Sequence, residues 1–198
     1  PLTEDQLHNG PPHDSNFGYA YAKRMVDVQI RACNQQYDTE YISVIPNNMY
    51  GPHDNFDLEN GHVIPSLIRK IWEAKLNNKS SFEVWGDGEV YREFTFAEDI
   101  ARAITFLLQQ NYNSGPINIG CTKEYKLKDV ISLICEKLDY NGQIKYNNSK
   151  PKGQIRKPTS NKKFLELGWQ EEWYTSLEDG LNITCNWFKE NYPNVRGV

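Results

Sequence analysis

Asn16-Phe17-Gly18-Tyr19-Ala20-Tyr21-Ala22-Lys23-Arg24-Met25 is the stretch on which the reading of this chain turns. It follows a loop-forming run, Gly10-Pro11-Pro12-His13-Asp14-Ser15, and it opens a helical pattern. Ala22, Val26, Ile30, Cys33 and Tyr37 recur along one face, so a helix is expected from about Phe17 to Tyr37. Residues four apart share a helix face, which lets Tyr19 and Lys23 present a phenol and an ammonium to one site. A free phenol titrates near ~10 and is a poor acid or base at neutral pH. A fixed positive charge beside it favours the phenolate. Such a pair suits proton exchange with a carbinol or ketone oxygen while a hydride moves at the attached carbon. A bare Y-x-x-x-K occurs by chance in many helices, so its meaning depends on what surrounds it.

Downstream, Tyr41-Ile42-Ser43-Val44-Ile45-Pro46 reads as a short apolar strand, and residues 47–61 read as a loop with a turn at Gly51-Pro52. A helix is expected from Val63, with Pro65 in its first turn, where proline is tolerated. Ile64, Leu67, Ile68 and Ile71 form its apolar stripe, with Arg69 and Lys70 on the other face. Phe82–Trp85 and Glu93-Phe94-Thr95 read as strands around the Gly86-Asp87-Gly88 turn. A helix follows with Ile100, Ile104, Leu107 and Leu108 on one side. Next come a strand at Ile117–Ile119 and a helix carrying Leu127, Val130, Ile131, Ile134 and Leu138. Gln143–Tyr146 has strand character. Ser176-Leu177-Glu178-Asp179 resembles a capping box opening a last helix through Leu181, Cys185 and Phe188. Strands alternating with helices imply an α/β protein with a largely parallel sheet.

Composition narrows the function classes. The chain of 198 residues is 38% hydrophobic and 13% aromatic, enough for a sizeable core. No run of eighteen apolar residues is present, so no membrane span is expected. The first ten residues lack the basic and apolar regions of a signal peptide. Cys33, Cys121, Cys135 and Cys185 are dispersed, without metal-ligand spacing, which fits reduced thiols and a cytoplasmic location. The net charge of −4 argues against general nucleic-acid binding. Between Tyr140 and Leu165, however, stand Lys145, Lys150, Lys152, Arg156, Lys157, Lys162 and Lys163 with no acid among them. A basic segment on an otherwise acidic chain points either to one anionic ligand or to a solvated loop.

The surroundings of Tyr19 and Lys23 give the pair its meaning. The run Asn16–Met25 resembles the catalytic helix of the extended short-chain dehydrogenase/reductases. Pro46-Asn47-Asn48-Met49-Tyr50-Gly51-Pro52 resembles the loop that follows it. Arg92-Glu93-Phe94-Thr95-Phe96-Ala97-Glu98-Asp99, Asn118-Ile119-Gly120 and Leu165–Trp169 with Ser176–Leu181 resemble the same family's later signatures. The matches are in order and cover nearly the whole chain. His8–Pro12, Pro52-His53-Asp54-Asn55-Phe56, Gly61-His62-Val63-Ile64-Pro65 and Val84–Gly88 carry a narrower resemblance, to the members that rebuild a GDP-linked keto sugar.

The resemblance implies a Rossmann-like fold. Residues 1 to about 50 would complete an NADP-binding domain, and 51–198 would form mainly a smaller α/β substrate-binding domain. The glycine-rich phosphate-binding turn is expected ahead of Pro1, so residues 1–198 alone are not expected to turn over. The implied reaction converts GDP-4-keto-6-deoxy-D-mannose to GDP-L-fucose by epimerisation at C3 and C5 and NADPH-dependent reduction at C4. Tyr19 would protonate the C4 oxygen, Lys23 would bind the nicotinamide ribose, and His62 would serve epimerisation. Lys23, Pro46, Asn47, Asn48, Met49 and His62 would line the cofactor site. Lys70, Trp85, Arg92 and Lys157 would contact the GDP-sugar, where cations suit a diphosphate. Lys152 stands where the family usually has an acid, which puts base or ribose recognition there in question. The resemblance also implies a homodimer, with the Tyr19–Tyr37 helix in its interface. Two other readings stay open: a 4-epimerase or 4,6-dehydratase of the same family, and a non-catalytic sugar-nucleotide-binding module.

Overall fold

The computed structural model describes residues 1–150 and 153–198. In chain order its elements are α1 (Phe17–Tyr37), β1 (Val44–Pro46), β2 (Met49–Tyr50), α2 (Val63–Leu76), β3 (Ser81–Trp85), β4 (Tyr91–Glu93) and β5 (Thr95–Phe96). There follow α3 (Ala97–Gln109), β6 (Ile117–Ile119), β7 (Glu124–Lys126), α4 (Leu127–Lys137), β8 (Gln143–Asn147), α5 (Lys162–Glu166) and α6 (Leu177–Asn191). Three strand pairs are parallel: β1 with β6, β2 with β5 and β3 with β8. The pair β4 and β7 is antiparallel. Parallel partners need long crossovers, and helices supply them, so the α/β architecture expected from the alternation is the one observed.

The core has two parts. In the first, α2, α4 and α6 pack on one another and α2 on β3. They bury Ile64, Leu67, Ile68 and Ile71 from α2, Val130, Ile131 and Ile134 from α4, and Leu181, Cys185 and Phe188 from α6. Apolar residues at helical spacing form a stripe that must be covered, and each expected stripe on these helices is covered. The second gathers Ile100, Ala103 and Leu107 of α3 with Ile117, Ile119, Phe164, Trp169 and Tyr174, and Ile42 and Val44 pack against it. The chain before β2 and the chain around β6 therefore share a core.

Several local expectations are corrected. The strand read from Tyr41 begins only at Val44. The Asn34 side chain donates to the Tyr41 carbonyl at 2.9 Å and accepts from its amide at 3.0 Å, tethering that approach as a loop. Residues 47–61 contain β2, paired through Met49 and Tyr50 with Thr95 and Phe96. The single strand expected at Glu93–Thr95 is split at Phe94, because β4 pairs with β7 and β5 with β2. On α3, Leu108 is 64% exposed and Ala103 takes the buried position. On α1, Ile30 and Cys33 are half-covered, but Ala22, Val26 and Tyr37 are exposed, and the residue this helix fully buries is Asp27.

Candidate functional site

Tyr19 and Lys23 lie on the first turns of α1, and the Lys23 ammonium stands 5.5 Å from the centre of the Tyr19 ring. Their shared face is therefore realised, and Tyr19 is exposed. The helix is held by charge rather than by its apolar stripe. The buried Asp27 carboxylate meets His8 at 2.8 Å and Arg31 at 3.1 Å, and Arg24 donates to the Gly10 carbonyl at 2.7 Å. The run His8–Gly10 is thus the strap that fixes the helix carrying the phenol.

Pro46, Asn48 and Met49 stand at the carboxyl end of β1, the edge of a parallel pair where α/β proteins receive ligands. Asn48 and Met49 are exposed there. Asn47, expected beside them, is committed inward. Its amide donates to the Cys121 carbonyl at 2.8 Å and to Glu93 at 3.3 Å, and its oxygen accepts from the Thr95 hydroxyl at 2.6 Å. Asn48 also donates to the Glu93 carbonyl at 2.8 Å, tying β2 to β4. Glu93 is 2% exposed and accepts from the Thr159 amide at 2.8 Å and hydroxyl at 2.6 Å. A buried carboxylate needs such donors. The signature Arg92–Asp99 supplies a second one: Asp99, held by Arg102 and by the Thr175 amide and hydroxyl at 2.7 and 3.0 Å. Glu93, Thr95 and Asp99 thus serve the fold.

His62 is the residue before α2, in extended conformation, and its side chain caps nothing. The loop leading to it is tightly built. The Asp57 carboxylate accepts from the Asn60 and Glu59 amides at 2.6 and 2.9 Å, and those bonds hold it below the usual carboxylate range. Gly61 is required, because a side chain there would collide with the Asp57 and Asn55 carbonyls. Phe56 is fully buried, its ring 4.5 Å from that of Phe188, and its amide donates to the Arg196 carbonyl at 2.9 Å. Arg69 donates to the Gly197 and Phe56 carbonyls and pairs with Glu73 at 2.7 Å. Arg69 is therefore a strut between the loop and the segment that carries Gly197. His62 Nδ1 lies 3.8 Å from Asp54 Oδ1. Asp54 stood inside the quoted motif, but nothing in local periodicity assigned it a role.

The four residues expected at the GDP-sugar fall into two groups. Lys70 donates to the Glu83 carbonyl of β3 at 3.2 Å, and Trp85 closes the same strand, exposed, with Lys150 5.3 Å from its ring. Arg92 lies on β4, half-buried, donating to the Tyr91 carbonyl at 2.6 Å. Burial lowers its guanidinium from the ordinary value, although arginine stays charged in proteins. The basic segment runs beside it: the Tyr91 amide donates to the Ile155 carbonyl at 2.8 Å, and Arg156 pairs with Glu124 of β7. Lys157 follows directly and is exposed. Lys152, whose departure from the family pattern was singled out, lies outside the described residues. A recess of about 550 Å³ is lined by Thr122, Ser160, Asn161 and Lys162 among others and includes none of the candidate residues.

The model of the NAD dependent epimerase/dehydratase family matches residues 1–120. The chain is 40% identical to the GDP-L-fucose synthase of Dictyostelium discoideum, over 99% of its own length and 61% of that protein's. It is 38% identical to the GDP-L-colitose synthase of Yersinia pseudotuberculosis, over 98% of its length and 63% of that protein's. A GDP-L-fucose synthetase structure from Naegleria fowleri, bound to NADP, superposes with a TM-score of 0.90 at 40% identity, covering 99% of this chain and 63% of that one. The chain thus spans about three fifths of the length of the curated relatives it matches. With its parallel α/β framework, its Tyr19–Lys23 helix and a family match over most of its length, this chain belongs to the NAD dependent epimerase/dehydratase family.

Proposed function

We propose that the protein to which these residues belong is an NADPH-dependent GDP-L-fucose synthase acting on GDP-4-keto-6-deoxy-D-mannose. The observation that carries this reading is that one chain holds two separate proton-handling groups: Tyr19 with Lys23 on α1, and His62 ahead of α2. A plain ketone reductase needs the first alone. An epimerase that also reduces needs both. The named relatives supply the sugar class.

Residues 1–50 would complete the dinucleotide domain, and 51–198 would supply mainly the sugar-nucleotide domain. Lys23, Pro46, Asn48, Met49 and His62 would border the nicotinamide, with Asn47 fixing the edge from within. Bound NADPH supplies the hydride. Tyr19 gives its proton to the C4 oxygen, and Lys23 stabilises the phenolate left behind. The C3 and C5 protons flank the C4 ketone and are acidic through enolisation; His62 exchanges a proton on one face of the enolate, and a second acid/base group serves the other. Lys70, Trp85, Arg92 and Lys157 bind the GDP part. The unpaired cysteines, of which Cys135 is pushed up to about 11 by burial, support a cytoplasmic location.

Product analysis tests the whole reading. The full-length protein with the keto sugar and NADPH should yield GDP-L-fucose by NMR. A 6-deoxy sugar with unchanged C3 and C5 configuration, or no turnover, would overturn it. The same protein should be a homodimer through α1, a reading supported by exposed Met25, Val26, Val28 and Tyr37 on that helix. A monomer in light scattering at micromolar concentration would exclude that assembly.

A further inference from the structure

We infer that Asp54 is a positioning residue for His62, holding the imidazole so that one nitrogen faces the sugar; the inference rests on the epimerisation role proposed for His62. The two side chains are unequal partners. The His62 side chain is 81% exposed and that of Asp54 is 19% exposed. Asp54 Oδ1 accepts from the Asn55 amide at 2.7 Å, which fixes the carboxylate. His53, just before it, adopts a left-handed conformation (φ 65°) with its ring 4.5 Å from that of Trp187, and this turn aims Asp54. Residues 55–61 are locked by the Asp57 turn, by buried Phe56 and by the tight passage at Gly61. The backbone distance between Asp54 and His62 is therefore set, and what varies is the rotation of the imidazole.

An unpacked imidazole has two neutral tautomers and several rotamers, and few of these combinations present a usable lone pair. A base is ordinarily oriented by a third group, and the bond made by one ring nitrogen decides the state of the other. The carboxylate lies on the Nδ1 side. Nδ1–H directed at Asp54 leaves the Nε2 lone pair pointing away, free to exchange a proton with one face of the sugar carbon, inversion being completed by a second acid/base group on the other face. The 3.8 Å separation exceeds hydrogen-bond length. Bonds of this kind are often long without substrate and tighten when it binds. A small turn of the exposed ring brings Nδ1 within reach, while the carboxylate need not move.

The test uses the full-length enzyme with NADPH and the GDP-linked keto sugar in D₂O, comparing Asp54→Asn, Asp54→Ala, Asp54→Glu and His62→Asn. Deuterium incorporation at C3 and C5 should fall roughly 10- to 100-fold in Asp54→Asn and Asp54→Ala, the range typical when a partner that orients a histidine is removed. The fall should be in kcat rather than KM, and Asp54→Glu should restore part of it. Reduction of the already epimerised ketone should be unchanged. With the GDP-sugar bound, ¹⁵N shifts of the His62 ring should report protonated Nδ1 and bare Nε2 in the wild type, and a tautomer mixture in Asp54→Asn. Asp54→Asn retains an acceptor for the Asn55 amide, so it decides the matter if Asp54→Ala does not fold. Normal exchange in Asp54→Asn, equal loss of exchange and reduction, or unaltered ring shifts would each overturn the inference. Normal exchange in His62→Asn would instead remove the reading on which it rests.

Discussion

Tyr19→Phe removes a hydroxyl and almost no volume, and Tyr19 is exposed, so the fold has little reason to respond. In the full-length protein the substitution should slow reduction by about 10²–10⁴-fold, the usual contribution of a general acid, with GDP-sugar binding retained in calorimetry. A loss below tenfold would take Tyr19 out of the reaction. Arg92→Ala and Lys157→Ala should behave differently. They are assigned to the part of the substrate that does not react, where binding is equal in ground and transition states, so KM should rise more than kcat falls in steady-state assays. The pair Tyr19 and Lys23 was legible because a four-residue spacing fixes a shared helix face. Asn47 and Glu93 were not legible as structural residues: they hydrogen-bond each other across the fold, and Glu93 reaches Thr159. Partners so distant in sequence leave no local period. Asp54 stayed without a role for the same reason, since its meaning lies in the geometry of a loop.

At the scale of elements, three helix starts could be read nearly to the residue. α1, α2 and α6 begin where spacing and capping residues placed them, because an amphipathic stripe and its cap are local features. Ser176 is the clearest case, its hydroxyl oxygen accepting from the Asp179 amide at 3.1 Å. Ser176→Ala should destabilise the protein by about 1 kcal/mol, measured as a shift in urea midpoint with unchanged slope. No change would show that the cap is redundant with the packing of Leu177 and Leu181. Strands of two or three residues carry no readable period. β7, Glu124–Lys126, has charged residues on both sides of Tyr125 and exists because β4 lies beside it. α5 is a five-residue helix held by Phe164, whose burial against Phe106 depends on a residue far away in sequence. The stripe of α1, half-covered at Ile30 and Cys33, is the converse case. Periodicity predicts that a face is apolar, and it does not say what covers it.

Across the whole molecule the two hydrophobic clusters divide the labour: one carries α2, and with it His62, while the other supports β1. Buried Cys185, pushed up to about 12 by desolvation, belongs to the first. Its reaction with a thiol reagent at pH 8 should therefore follow global unfolding and can serve as a probe of that cluster. Phe56 and Arg69 both bond to the segment Arg196–Gly197, so two stretches far apart in sequence share their restraints. Gly197 has φ +89°, and a side chain there would collide with Asn55. In the language of hydrogen exchange these stretches form one foldon, a unit that opens as a whole. Gly197→Ala should thus strip protection from the amides of Phe56 and Gly61, far away in sequence, while the amides of α4 keep theirs. The loop that leads to His62 would then breathe at a rate set by Arg196 and Gly197, at the other end of the sequence.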